Sequence, residues 1–458
     1  MSTYDDSHLP SREALVAATS KPMPAAWTYL SLGLLALGTL AFIVGAAQGD
    51  DRVWQALLFN WLFFTTISQA AVTFVAIQRI TTARWSRPVV RMLEGFTAFL
   101  GPATLVLLII FLGRAHIFPW ARGPIGTPEK AYWMRPEFLI TRDIVLQLIL
   151  VALSVRYMWL SVRLDVGVLG EAGAWWGKWA RDRMRRGFGE ERREIHTTHS
   201  KQGVLAVLLC VSYGVFYSVF AWDFSMTLDT HFQSTLYSWW FFMGGIISML
   251  MTWSLLVMWW RKHLGAQELL TEHHFHDLGK LCFAFTAFWG YLTFGQYLVI
   301  WYGNMGEETH WMRLRLIAPW MPVTLAVVFL VFAIPFFGLL SRAAKVYLPT
   351  FFTFAIGSVI GMYLLRFIEV YPSLHGVPAA LPFGWQEIGV TAGMLGLWLF
   401  AYSRFMGAFP RMRIVMMTSP YRDEVQIPVD PKTMEPLPAH EYRAPRVSSR
   451  CYLDRTGR

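Results

Sequence analysis

Ten stretches of this chain are apolar enough and long enough to cross a lipid bilayer as helices, and that leaves few folds open. A hydrocarbon core about 30 Å thick takes roughly 20 mostly apolar residues in a helix. Such runs lie near Trp27–Ala47, Val53–Ile77, Phe96–Gly113, Phe138–Leu160, Gly203–Trp222, Leu236–Trp260, Leu278–Tyr302, Ile317–Leu340, Pro349–Val370 and Ile388–Met406. They are continuously apolar rather than alternating and too long for tilted strands, which argues against a β-barrel. Lipid offers peptide groups no partners, so each segment must satisfy its own backbone. The expected fold is an all-α integral membrane protein with ten transmembrane helices. The fourth run is the least regular, because Arg142, Asp143, Gln147 and Arg156 interrupt it.

Composition excludes other classes. Only 15% of the residues are charged, against about 25% in a soluble domain, so neither a disordered chain nor an ordinary soluble enzyme fits. Cys210, Cys282 and Cys451 stand far apart without a C-x-x-C pair. The chain therefore shows no ligand pattern for an iron–sulfur cluster, no attachment site for a c-type haem and no disulfide framework. Its histidines fall in links, tails or span edges, which argues against axial ligation of a b-type haem. The cluster Glu272-His273-His274-Phe275-His276-Asp277 resembles a metal site in composition, but without a second ligand cluster it reads as a solvated link. No phosphate-binding glycine loop is present, which disfavours an ATP-driven pump.

Lys and Arg in the short links set the expected orientation. Arg79, Arg84, Arg87 and Arg91 follow the second span, and a long basic link from Arg163 to Lys201 follows the fourth. Asp223–Ser234 and Tyr371–Glu387, on the other side, carry neither Lys nor Arg, although Arg114–Pro136 is an exception. The expectation is a multi-pass protein with both termini in the cytoplasm. Its segments are a cytoplasmic N-terminal stretch (1–26), a transmembrane domain (27–406) and a polar C-terminal tail (407–458). The tail is either flexible or a strap that docks on partner subunits. The net charge of +10 then reflects the positive-inside bias rather than nucleic-acid binding.

Two echoes suggest duplication. Trp61-Leu62-Phe63-Phe64 in the second span is matched by Trp239-Trp240-Phe241-Phe242 in the sixth, and Phe96-Thr97-Ala98-Phe99 in the third by Phe285-Thr286-Ala287-Phe288 in the seventh. An offset of four spans predicts two four-helix bundles, spans two to five and six to nine, flanked by the first and tenth.

Ionisable residues within spans are costly and point to function. Glu94, His276, Asp277 and Lys280 are candidates for a proton path on the cytoplasmic side, the last three on one helical face. Asp143, Asp223, Asp229, Arg366 and Glu369 are candidates on the opposite side, with Arg366 and Glu369 spaced to pair. Thr65, Gln69, Thr73, Gln147, Tyr291 and Gln296 form a candidate polar relay between them. The plainer alternative is that these groups snorkel, pair or bond between helices. The tryptophan pairs near span ends read as an aromatic belt, and some could wall a quinone pocket.

Three segments carry a resemblance: 221–229 (AWDFSMTLD) with 234–241 (STLYSWWF), 276–286 (HDLGKLCFAFT), and 296–304 (QYLVIWYGN) followed by Glu307 and Glu308. They resemble the ActF subunits of bacterial alternative complex III, within the NrfD/PsrC-like membrane subunits. The resemblance implies a place in a quinol:cytochrome c (electron-acceptor) oxidoreductase of the bacterial inner membrane. It implies an ActC-like sister membrane subunit, a periplasmic iron–sulfur subunit and multi-haem c-type cytochromes as partners, which would hold the iron–sulfur clusters and c haems. For this chain it implies a scaffold, a proton-conducting path or a contact with quinone (menaquinone) or a structural lipid, and no redox cofactor of its own. Asp223, Asp229, His276, Asp277 and Lys280 match the family segments. The alternatives are a secondary transporter, with Gly101-Pro102 and Ile334-Pro335 as helix breaks, or a purely structural anchor.

Overall fold

The computed structural model describes residues 11–123, 128–170 and 173–425. We number the ten long apolar helices α1 (Ala25–Ala47), α2 (Asp51–Ile80), α3 (Val90–Leu112), α4 (Pro136–Leu169), α5 (Glu191–Phe224), α6 (Tyr237–Leu264), α7 (Glu272–Gly303), α8 (Met321–Gly338), α9 (Leu348–His375) and α10 (Trp385–Ala408). No strand occurs among the described residues. The protein is an all-α, multi-pass integral membrane protein.

Helix α2 sits at the centre, buried on every face, its polar Thr65, Gln69 and Thr73 included. Around it, α2, α3, α4 and α5 close a four-helix bundle, each packed on the next. A second bundle closes in the same way from α6, α7, α8 and α9. The bundles meet where α6 and α9 pack on α2 and where α5 packs on α6. The Trp–Phe echoes thus fall on α2 and α6, the most buried helix of each bundle.

Helices α1 and α10 form the tightest helix pair, and small residues explain it. The buried residues of α1 are Ser31, Gly38 and Gly45, seven apart. A Cβ on Gly38 would lie 2.1 Å from the Gly393 Cα, and one on Gly389 would lie 2.4 Å from the Ala41 Cβ. In lipid the backbones gain dispersion contacts only by such approach, which a side chain forbids.

Helix α8 contains a local departure. Pro335 has no N–H to give, and the turn before it, Val328–Ala333, opens into a π-helical segment. Helices α4 and α5 outrun their predicted spans, reaching Leu169 and starting at Glu191. The extra turns of α5 open on Glu191-Arg192-Arg193-Glu194, whereas those of α4 bury Ser161, Val162, Leu164, Asp165 and Val166.

Both described ends of the chain lie at the same end of the helices, as an even number of crossings requires. Here the expectation of a polar tail from 407 is corrected as far as residue 425. Met412, Ile414, Val415 and Met417 are buried. The short helix Ile414–Thr418 packs on α4 and on an N-terminal helix, Arg12–Thr19. The strap docks on its own chain, because apolar residues at 412, 414, 415 and 417 give it a face to bury. The rest of the expected tail, 426–458, and residues 1–10 lie outside the described residues.

Substituting Gly38 by Leu is expected to separate α1 from α10 and lower the thermal midpoint, at a cost of about 1–3 kcal/mol. Gly33 on the same helix, with nothing within 4 Å of a Cβ, should accept Leu without change. Equal melting of the two variants would contradict this packing.

Candidate functional site

The site starts from a spacing in α4. Its buried residues include Leu139, Asp143, Gln147, Leu150, Ser154, Tyr157, Ser161 and Asp165, at steps of three and four. Such steps place them on one face of the helix. That face turns inward, and apart from Leu139 and Leu150 each of these side chains is polar. From Asp143 to Asp165 the file climbs about 33 Å at 1.5 Å per residue, roughly the depth of the hydrocarbon.

At the end away from the termini, Asp143 meets Asp223 of α5 through one guanidinium. Arg142 donates to Asp223 Oδ2 at 2.5 Å and to Asp143 Oδ1 at 3.4 Å, and lies 3.9 Å over the Trp133 ring. Trp133 Nε1 donates to Asp223 Oδ1 at 3.1 Å. Both carboxylates are fully buried, and Asp143 Oδ2 has no partner within the protein. Two carboxylates share one cation, and the Asp143 and Asp223 carboxyls also lie within hydrogen-bond reach of each other.

In the middle, α2 supplies the facing groups. Thr65, Gln69 and Thr73 are all buried. Gln69 Nε2 donates to Ser154 Oγ at 3.0 Å, and Tyr217 of α5 donates to the Thr65 carbonyl at 3.2 Å. Thr65 Oγ1 and Gln147 Nε2 are left without protein partners. Tyr157 donates to the Val75 carbonyl at 3.4 Å.

At the end bearing the termini, four charges close the file. Ser161 Oγ donates to Glu94 Oε1 at 2.7 Å. Arg91 pairs with Glu94 at 2.5 Å and also with Asp165. Arg413, reaching in from the strap, pairs with Glu94 and neighbours the Tyr157 hydroxyl. The Val415 N–H donates to Asp165 Oδ1 at 2.9 Å. Burial alone would lower the Arg413 guanidinium, but Glu94 beside it raises it above the ordinary arginine value, so it stays a cation. Two cations and two carboxylates cancel, which is the condition for keeping them out of water.

The second bundle holds a separate polar group. Arg366 pairs with Glu369 at 2.6 Å, as their spacing predicts, and donates to the Phe241 carbonyl at 2.9 Å. Arg315, on the connecting helix Gly306–Arg315, donates to the Glu369 carbonyl at 3.0 Å and lies 3.6 Å over Trp311. Burial pushes its guanidinium down to about 10, still a cation at neutral pH. Beside these lies a cleft between α6, α7, α8 and α9, lined in part by Trp240, Trp289, Gln296, Trp311 and Glu369.

The candidates named from sequence are thus sorted. Glu94, Asp143, Asp223, Thr65, Gln69, Thr73 and Gln147 gather in the first bundle, while Arg366, Glu369 and Gln296 gather in the second. Asp229 lies in the turn after α5, where its carboxylate accepts from the His231 N–H at 3.2 Å and its charge acts on Arg315 of the second-bundle group and on Lys130. The expected grouping of Glu94 with His276, Asp277 and Lys280 is not found. Lys280 is 56% exposed and pairs with Asp277 at 2.7 Å on the outside of α7, because the helix turns Phe275, Leu278, Gly279 and Cys282 inward and these two residues fall off that face. Tyr291 also leaves the relay, 69% exposed on the outer face of α7. Arg91, Ser154, Tyr157, Ser161, Asp165 and Arg413 were missed. The α4 members carried a signal, the three-and-four spacing, whereas Arg413 meets Glu94 across 319 positions and carried none.

Among the described residues no three His, Cys, Asp or Glu side chains gather into a group that could hold a metal ion. The fold and these buried clusters define a ten-helix membrane protein with charged groups inside both bundles. No protein-family model matches the chain, and no curated protein does either.

Replacing Arg413 by Met should leave Glu94 short of a partner and cost about 3–5 kcal/mol. Adding Glu94→Gln should return much of that loss. A double-mutant cycle on the thermal midpoint checks this, and simple additivity of the two losses would contradict the pairing.

Proposed function

We propose that this chain is the ten-helix membrane subunit of a quinol:cytochrome c (electron-acceptor) oxidoreductase of the alternative complex III type, and that its first bundle carries protons for that complex. One observation supports the reading above the others. A file of polar side chains on α4 connects two buried carboxylate clusters at opposite ends of the bundle. Burying polar groups at membrane depth is costly, and where they pair along a path they mark proton relays. A scaffold alone would be served by apolar packing.

In this reading the Asp143–Asp223 pair is the proton station facing the periplasm. Its shared guanidinium leaves one carboxylate able to hold a proton at Asp143 Oδ2. Thr65, Gln147, Gln69 and Ser154 then offer hydroxyl and amide groups to a chain of waters in the middle of the bundle. Glu94, clamped by Arg91 and Arg413, is the station facing the cytoplasm. Both termini are cytoplasmic, in keeping with the basic links at that end, and the membrane is the bacterial inner membrane. Electrons travel on partner subunits: a periplasmic iron–sulfur subunit and multi-haem c-type cytochromes, beside an ActC-like sister membrane subunit. The resemblance of segments 221–229, 234–241, 276–286 and 296–304 to ActF-like subunits supports these partners.

The test is proton translocation by the intact complex in liposomes. Gln69→Leu and Asp143→Asn should lower the protons moved per electron while quinol oxidation and haem content persist. Asp277→Asn and Lys280→Met, on the outside of α7, should leave the ratio unchanged. An unaltered ratio in the first pair would contradict the proposal.

A further inference from the structure

We propose that the outward face of α7 is a docking seam for a membrane-spanning helix of a different protein chain. A helix that faces lipid must be apolar, whereas polar groups in a span are tolerated where protein covers them. Helices α1, α4, α5 and α8 follow this rule: at most 33% of each span is buried, and each is strongly apolar. Helices α2 and α10 follow it too, being less apolar and having 100% and 50% of their spans buried. Helix α7 breaks it. It shares with α10 the lowest mean hydropathy of the ten, yet only 33% of its span is buried.

The spacing along α7 is that of a helix with a neighbour on each side. Ala284, Ala287, Tyr291, Phe294, Leu298 and Trp301 recur at alternating steps of three and four. Such steps hold one stripe towards a facing helix, as in left-handed helix pairs. Ala287 is half-buried and the other five are exposed. The opposite stripe, with Cys282, Thr286, Trp289, Gln296 and Ile300, is the buried one. Helix α7 therefore carries two seams, and this chain fills one. Tyr291 lies near the middle of the apolar run 278–302, is 69% exposed, and its hydroxyl bonds to no group among the described residues. Tyrosine on a lipid face belongs at the interfaces, where its hydroxyl reaches water. At mid-span the hydroxyl needs an acceptor, and a second helix supplies one.

The sequence narrows the occupant. Residues 1–10 and 426–458 hold no apolar run long enough to cross a bilayer, so they do not supply the missing helix. A second copy of this chain, related by an axis along the membrane normal, would run its own α7 in the same direction. Tyr291, Phe294 and Trp301 would then meet their own copies at the same depth. Three large rings face to face hold two backbones apart, and helix pairs in lipid depend on close approach. The seam fits a partner with Gly, Ala or Ser opposite Tyr291 and Phe294, and with a hydroxyl or amide oxygen within reach of the Tyr291 hydroxyl. That the partner is a neighbouring subunit of an electron-transfer complex rests on the function proposed above, whereas the covering of this face by protein does not.

Photo-crosslinking in native membranes tests the seam. The crosslinking amino acid p-benzoylphenylalanine replaces Phe294 in one variant and Val211, 62% exposed on the strongly apolar α5, in a control. After irradiation, the adduct at position 294 is expected to carry a membrane-spanning peptide of a different chain, identified by mass spectrometry. The control is expected to carry lipid alone. Ala284→Trp overfills the seam and should lower recovery of that chain with this one about tenfold, with the thermal midpoint of this chain unchanged. Val211→Trp should leave recovery as it is. Lipid alone at position 294, an adduct to a second copy of this chain, or recovery indifferent to Ala284→Trp would overturn the seam. Quinol oxidation by the recovered assembly is read separately. A captured partner without that activity supports the seam and counts against the oxidoreductase reading, and that activity with lipid alone at position 294 overturns the seam by itself.

Discussion

A charge taken out of water must be met by another charge or by hydrogen bonds, and that constraint organises the interior of this protein. Arg91, Arg413, Glu94 and Asp165 form a neutral quartet at one end of the first bundle. Arg142 serves Asp143 and Asp223 at the other. Arg366 meets Glu369 in the second bundle, and Arg52 joins Glu387 where α2 meets α10. Each cluster draws its members from two or more segments far apart in sequence, except the Arg366–Glu369 pair within α9. The charges therefore act as pins between elements as well as candidates for chemistry. The Arg52–Glu387 pin is strengthened by Tyr371, whose hydroxyl donates to the same carboxylate at 2.7 Å.

Two kinds of packing coexist around these pins. Where α1 meets α10, glycines at 38, 389 and 393 allow backbone-to-backbone contact and no polar group is needed. In the first bundle, by contrast, polar residues on α4 and α2 face each other at membrane depth. The difference divides labour. The flanking pair is held by dispersion alone, and the bundle accepts the cost of buried polar groups along a continuous face. The strap of residues 409–425 closes that face at the end bearing the termini, placing Arg413 and the Val415 N–H on the two carboxylates there.

Much of the fold was legible in the sequence because lipid imposes a simple rule: twenty apolar residues, one helix. All ten helices lie where hydropathy puts them, and the repeated Trp–Phe runs foretell the two bundles. The interior was less legible. Hydropathy puts Asp277 and Lys280 on the same side of the membrane as Glu94 but does not say which face of the helix they take. Helix α7 buries Phe275, Leu278 and Cys282, which turns both residues outward. Arg142, Asp143, Gln147 and Arg156 make the fourth span read as irregular, yet Asp143 and Gln147 lie on its buried face. These residues are the start of a polar face, and its continuation at Ser161 and Asp165 lay beyond the predicted end of the span at Leu160. The contact of Arg413 with Glu94 depends on the return of the strap, which no local pattern encodes.

Proton transfer along α4 requires that its polar file be wet. A cryo-electron microscopy map of the protein in lipid nanodiscs, at a resolution that shows water, answers this most directly. Ordered waters should lie against Asp143 Oδ2, Gln147 Nε2 and Thr65 Oγ1 and pass Leu150 to reach Ser154. A bundle dry between Gln147 and Ser154, with its side chains closed upon one another, would contradict it.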